Sequence, residues 1–206
     1  MVQHIIIALI DASPSAMWVL LVVWLVLRFE KPIRSVLPRV TGVSIFGVEA
    51  SFVREEMDKA IVRKAAPVCT EDRERALRRL MRAESVFRDA AILWVDSAPE
   101  LRADERALLR FAGASVDVAR STAEALSRLE NRGYDAIVSD MKREGDPDAG
   151  LSLLSAMRER SFLPPVIFYV DQDEAGREVP PRAFDLTDRP DVLLHALADA
   201  LERRRS

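Results

Sequence analysis

The chain has 206 residues, is 49% hydrophobic and 31% charged, and carries a net charge of -3. That balance suits one folded domain with additions and excludes wholesale disorder. Without a basic surplus, a nucleic-acid partner held by bulk electrostatics is not expected. A lone cysteine, Cys69, and two distant histidines, His4 and His195, argue against a disulfide framework and a Cys/His metal cluster.

Ile5 to Leu27 is predominantly apolar. As a helix it would reach about 34 Å, enough for a hydrocarbon core of roughly 30 Å. Asp11, Ser13 and Pro14 interrupt it, and Trp18 and Trp24 suit interfacial depth. A cleaved leader is disfavoured, because no Lys or Arg precedes Ile5 and Arg28-Phe29-Glu30-Lys31 stands where small residues should be. Arg28, Lys31, Arg34 and Arg39 follow the segment, so the positive-inside rule predicts a single-pass inner-membrane protein with residues 28–206 cytoplasmic.

Val43 to Val53 partly alternates, with Phe46, Val48, Ala50 and Phe52 on one face; a short strand or a linker fits equally. Arg54 to Ala65 has a charged helical pattern, stopped by Pro67. Thr70 is the expected N-cap of the next helix, whose stripe Ala76, Leu77, Leu80 and Met81 suits either packing on its own domain or a homodimer contact.

From Ala90 onward, apolar strand runs alternate with helical stripes. Ile92-Leu93-Trp94-Val95 ends at Asp96, and Ala136-Ile137-Val138-Ser139 ends at Asp140. Ser115 to Ala119, Pro165 to Val170 and Ala183 to Thr187 complete five strands. Helical patterns cover Leu101 to Phe111, Thr122 to Asn131, Leu151 to Arg160 and Val192 to Arg203. Five strands alternating with these helical patterns predict an α/β fold with a doubly wound, five-stranded parallel sheet. Carboxylates at the carboxyl ends of such strands sit where this architecture places its chemistry. The expected division is an anchor (1–34), a juxtamembrane strand and helical linker (35–89), and an α/β domain (90–206).

Residues 90–206 resemble a response-regulator receiver domain. The resemblance is carried by Ile92-Leu93-Trp94-Val95-Asp96, by Tyr134-Asp135-Ala136-Ile137-Val138-Ser139-Asp140-Met141, by Ser121-Thr122-Ala123-Glu124-Ala125-Leu126 and by Arg189-Pro190. It implies a flavodoxin-like signalling module rather than an enzyme. It makes Asp140 the candidate phosphoacceptor, Asp96 and Asp140 the candidate Mg²⁺ ligands, and Arg189 the candidate phosphate contact.

The chain departs from that pattern at several positions. Ser97 stands where the second acid belongs, which weakens a hard-oxygen Mg²⁺ site. Val170 stands where a Ser or Thr hydroxyl reports the phosphate, and Arg189 replaces a Lys. Lys142 and Arg143 follow Asp140 and could supply cations to the same pocket, or be an ordinary solvated loop. The resulting expectation is a degenerate, membrane-anchored receiver that works through protein contacts without obligatory phosphorylation. The alternative is a two-component phosphorelay receiver that accepts phosphate on Asp140. Expected partners are the membrane, a sensor kinase or another signalling protein, and a second copy of the chain.

Overall fold

Three apolar runs, each wholly buried, make the centre of the molecule: β1 (Ala91–Val95), β3 (Ala136–Ser139) and β4 (Val166–Tyr169). Strands buried on both faces read as continuous apolar runs, which is how parallel sheets appear in sequence. The computed structural model describes residues 51–205 except 144 and 163. The apolar segment 5–27, the basic residues after it and residues 43–50 of the alternating stretch lie outside the described residues. Among the described residues, no helix is long and apolar enough to cross a membrane.

Two further strands, β2 (Ser115–Ala119) and β5 (Asp185–Thr187), complete a parallel sheet of order β2-β1-β3-β4-β5. This is the expected doubly wound α/β sheet. Alternation along the strands divides the core in two. Ile92, Trp94, Val138, Ile167 and Tyr169 face one side, and Leu93, Val95, Ile137 and Phe168 face the other.

Among the described residues seven α-helices surround the sheet: α1 (residues 51–64), α2 (Thr70–Arg82), α3 (Glu84–Phe87), α4 (Ala103–Phe111), α5 (Thr122–Asn131), α6 (Ala149–Glu159) and α7 (Pro190–Arg205). Helix α5 starts where Ser121 Oγ accepts from the Glu124 N–H at 3.1 Å, while Glu124 Oε2 accepts from the Arg120 N–H at 2.8 Å. This is a near relative of the reciprocal capping box. Helices α5 and α6 cover the Leu93 face through Ala125, Leu129, Leu153 and Met157. Helices α4 and α7 cover the opposite face through Leu108, Leu109, Leu193 and Leu197.

Two features differ from the sequence reading. Ser51, Phe52 and Val53 are helical rather than strand, and they belong to α1. The N-cap of α2 is Cys69, whose Sγ accepts from the Asp72 N–H at 3.4 Å; Thr70 is the first helical residue. The connection between β4 and β5 holds a 3-10 turn at Gln172–Glu174 and no α-helix, so α4 to α7 are the four helices that alternate with the strands, matching the four helical patterns of the sequence. Gly176 adopts φ +87°, and Pro180 and Pro181 remove two backbone donors, which together explain why no helix propagates there.

Helices α1, α2 and α3 share the sheet's own core. Val53, Met57, Ala76, Leu77, Leu80, Ala83 and Phe87 are buried with Trp94, Leu108 and Leu197, and residues 51–206 form one compact unit. Helix α2 runs along α7, tied by Arg189–Asp72 near the starts and Arg79–Asp199 further on. The apolar stripe of α2 therefore has an intrachain partner; Met81, at its edge, is 43% exposed. Helix α1 lies antiparallel to α4. The Phe52 and Phe111 rings meet at one end, and Arg63 pairs with Asp104 and Glu105 at the other.

Candidate functional site

The parallel register pairs Val95 with Ser139, so the next residues, Asp96 and Asp140, emerge side by side at the carboxyl edge. The Asp140 N–H donates to Val95 O at 2.9 Å, and the Asp96 N–H to Ala119 O at 2.9 Å, which fixes both at their strand ends. From β1 the chain leaves toward β2, and from β3 toward β4 on the other side. This reversal opens the crevice in which doubly wound sheets bind ligands. The sequence reading thus placed two candidate residues that the fold brings together.

Asp96 is 4% exposed and its Oδ1 accepts from the Ala98 N–H at 2.8 Å. Asp140 is half-buried. Burial first, and then the neighbouring Asp96 charge, pushes its carboxyl up to about 6, against the opposing charge of Arg102. In an unfolded chain an aspartate titrates near ~3.9. The folded state therefore binds this proton more tightly, and the contribution of Asp140 to stability falls as pH rises from about 4 through about 6, then levels. Asp140→Asn removes that penalty. We expect it to raise stability by about 1–2 kcal/mol at pH 7.5, after allowing for partial exposure, and by nearly nothing at pH 4. Urea melts of both proteins at the two pH values check this; equal differences at both would refute it.

The other predicted residues have engagements of their own. Arg189 makes a two-pronged pair with Asp191 (3.1 and 2.6 Å) and reaches Asp72 at 3.1 Å, joining α2 to the start of α7. Lys142 donates to Asp173 at 2.6 Å, across to the turn after β4. Arg143 is 5% exposed and turned inward, so it is neither a pocket cation nor a solvated loop residue. Val170 is fully buried, and the Ser97 carbonyl accepts from Arg120 at 3.3 Å.

Three residues that sequence reasoning did not single out complete the site. Asp171 follows β4 and takes two cations on one oxygen: Lys64 Nζ at 2.9 Å and an Arg102 nitrogen at 2.8 Å. Lys64 is the last residue of α1 and also donates to Val170 O at 2.5 Å. Arg102 ends the 3-10 turn at Pro99–Arg102 that follows β1. Both cations lie against the Tyr169 ring, at 4.4 and 5.6 Å from its centroid. Burial pushes the Lys64 ammonium below its ordinary range, with Asp171 opposing. Burial also pushes Asp171 up, but Lys64 and Arg102 more than reverse this and hold it below the usual carboxylate range. The sequence does carry a signal for one of them: Asp171 ends the fourth apolar run just as Asp96 and Asp140 end the first and third.

The donor set does not fit Mg²⁺ well. Two carboxylates face the crevice, one tied to a backbone N–H, and the third neighbouring acid, Asp171, is held by two cations. Among the described residues no group of three or more His, Cys, Asp and Glu side chains could hold a metal ion. A hard cation prefers six or more oxygens with several charges among them.

No protein-family model matches the chain, and no curated protein matches it. Solved structures resemble part of it. One is a response regulator receiver domain protein from Clostridium thermocellum, with 24% identity and a TM-score of 0.47, covering 56% of this chain and 97% of that one. A response regulator protein from Thermotoga maritima, solved in complex with Mg²⁺-BeF, has 21% identity and a TM-score of 0.47, covering 54% and 98%. A chemotaxis response regulator of Vibrio cholerae has 22% identity and a TM-score of 0.45, covering 54% and 98%.

Proposed function

We propose that this chain is a membrane-anchored signalling protein whose receiver-like domain acts through protein contacts and does not depend on phosphorylation of Asp140. The observation that carries the reading is the paired Asp96 and Asp140 at the switch point, in a site whose cations are already committed elsewhere. Phosphoryl transfer needs positioned charge neutralisation above all. Here Arg189 serves Asp191 and Asp72, Lys142 serves Asp173, and Val170 supplies no hydroxyl. No catalytic role follows from this arrangement.

The rest of the reading rests on the sequence. Segment 5–27 is the inner-membrane anchor, with residues 28–206 cytoplasmic, because Arg28, Lys31, Arg34 and Arg39 follow it. A sensor kinase or another signalling protein is the partner class, and nucleic acid is not, given the net charge of -3. Where two copies associate, the contact uses surfaces other than the α2 stripe, which packs on α7.

The test is intact-mass measurement after incubation with acetyl phosphate, with and without Mg²⁺. The expected result is an unmodified chain in both. A stoichiometric, Mg²⁺-dependent mass gain abolished by Asp140→Asn would overturn the reading in favour of a working phosphorelay receiver.

A further inference from the structure

Two basic side chains from distant parts of the chain converge on Asp171. Lys64 comes from α1 and its side chain is 4% exposed; Arg102 comes from the turn after β1 and its side chain is 8% exposed. Each would be a costly buried charge without an anion. Both are answered by the same atom, Asp171 Oδ1, on a side chain that is 61% exposed. The Arg102 Nε is buried and has no partner of its own. Two converging cations hydrogen-bonded to one oxygen of a solvent-facing carboxylate have the chemistry of an oxyanion site.

The same contacts hold α1 in place. Gln172, next after Asp171, donates to Ala65 O at 2.9 Å, just past the end of α1. Arg63, one residue before Lys64, pairs with Glu105, and Glu105 accepts from the Tyr169 hydroxyl at 2.7 Å. The end of α1 is thus fastened to the two loops that flank the Asp96–Asp140 crevice. The rest of α1 is held by apolar burial of Val53, Met57 and Ala60.

We propose that Lys64 and Arg102 form an oxyanion clamp filled by the chain's own Asp171, and that this resident anion docks the end of α1 against the site. The carboxylate does what a bound phosphate would do: it neutralises both cations and lets the Lys64 ammonium stay buried. This goes beyond the function proposed above and does not depend on whether Asp140 is modified. A phosphate-class anion is the ligand that would replace Asp171 when its charge is removed.

Hydrogen exchange on the full-length chain, in detergent, tests it. Asp171→Asn keeps the shape and removes the charge. Amides in the last turn of α1 should then exchange about tenfold faster or more, the scale of one lost charge-assisted contact, while β1 and β3 stay protected. Inorganic phosphate, but not sodium chloride at equal ionic strength, should restore protection in Asp171→Asn and leave the wild type unchanged. Adding Lys64→Met to Asp171→Asn should abolish the rescue. Adding Asp140→Asn instead should preserve it, which separates the clamp from the Asp140 site. Unchanged exchange in Asp171→Asn, or loss that phosphate does not rescue, overturns the proposal. Should Asp171→Asn loosen the whole sheet, Lys64→Met alone decides. That variant loses the same tie from the α1 side, so the last turn of α1 should exchange faster while β1 and β3 stay protected, and phosphate should not restore it; unchanged exchange overturns the proposal.

Discussion

A fragment of residues 90–206 should fail to hold the native fold, whereas one of residues 51–206 should unfold cooperatively. The division expected from the sequence puts a domain boundary at 89/90, but the apolar core crosses it. Met57 and Phe87 are completely buried, and Leu77 and Leu80 nearly so, all in the cluster that contains Trp94, Leu197 and Tyr169. Burying one large apolar side chain is worth about 1.5–3 kcal/mol, so these four contribute on the order of 6–12 kcal/mol. Total stabilities of domains lie near 5–15 kcal/mol, so the shorter fragment has little left. It would also uncover the surface of α7 against which α2 packs. Near-ultraviolet circular dichroism and urea melts of the two fragments compare them directly. Matching midpoints would mean that α1 and α2 decorate the sheet without supporting it.

Much of the sheet was legible because burial on both faces leaves a distinctive mark. The runs ending at Asp96 and Asp140 contain no polar residue before Ser139, and both became central strands. Their side-by-side placement also followed from the fold class, because a parallel β1–β3 pair aligns the two strand ends. The helix stripe Ala76, Leu77, Leu80 was equally legible, but not its partner. Amphipathic periodicity says that a face is covered and not by what, so packing on α7 and a homodimer contact looked alike.

The site's charges were harder to read for a related reason. Lys64, Arg102 and Asp171 meet only after three segments have folded, and each looks ordinary in its own segment. Arg189 was expected at the phosphate by position, yet Asp191 lies two residues away and Asp72 on the facing helix, and these two acids hold it. In the sequence Arg143 reads as a pocket cation or a solvated residue. The third option, a buried guanidinium satisfying backbone carbonyls, leaves no local sequence pattern.

That third role makes Arg143→Ala the most damaging single substitution near the site. One nitrogen of Arg143 donates to Ser139 Oγ and to Asp140 O, both at 2.7 Å; the other donates to Ala149 O at 2.6 Å and Thr122 Oγ1 at 3.0 Å. The guanidinium therefore ties the end of β3 to the first turns of α5 and α6. The loop it holds has little slack. Arg143 and Asp146 exchange backbone hydrogen bonds at 3.0 and 2.8 Å, and the Gly150 N–H donates to Met141 O at 2.9 Å. A Cβ on Gly150 would lie 2.7 Å from Phe168 Cε1 and 3.0 Å from Met141 Cα, so the helix start presses directly on the residue after Asp140. Alanine at 143 would take the guanidinium donors away from the fully buried Ser139 hydroxyl, from Asp140 O and from Ala149 O, and of these Asp140 O would keep the Ser139 hydroxyl as a donor at 2.9 Å. Unsatisfied buried groups cost about 1–3 kcal/mol each, so a loss of roughly 3–5 kcal/mol is expected. Arg143→Lys should recover only part of it, because one ammonium cannot span the positions that the planar fork reaches. Urea midpoints give the stability of each variant, and hydrogen exchange at Met141 and Gly150 shows whether the loop opens first. A loss below about 1 kcal/mol for Arg143→Ala would mean that backbone pairing alone shapes the loop carrying Asp140.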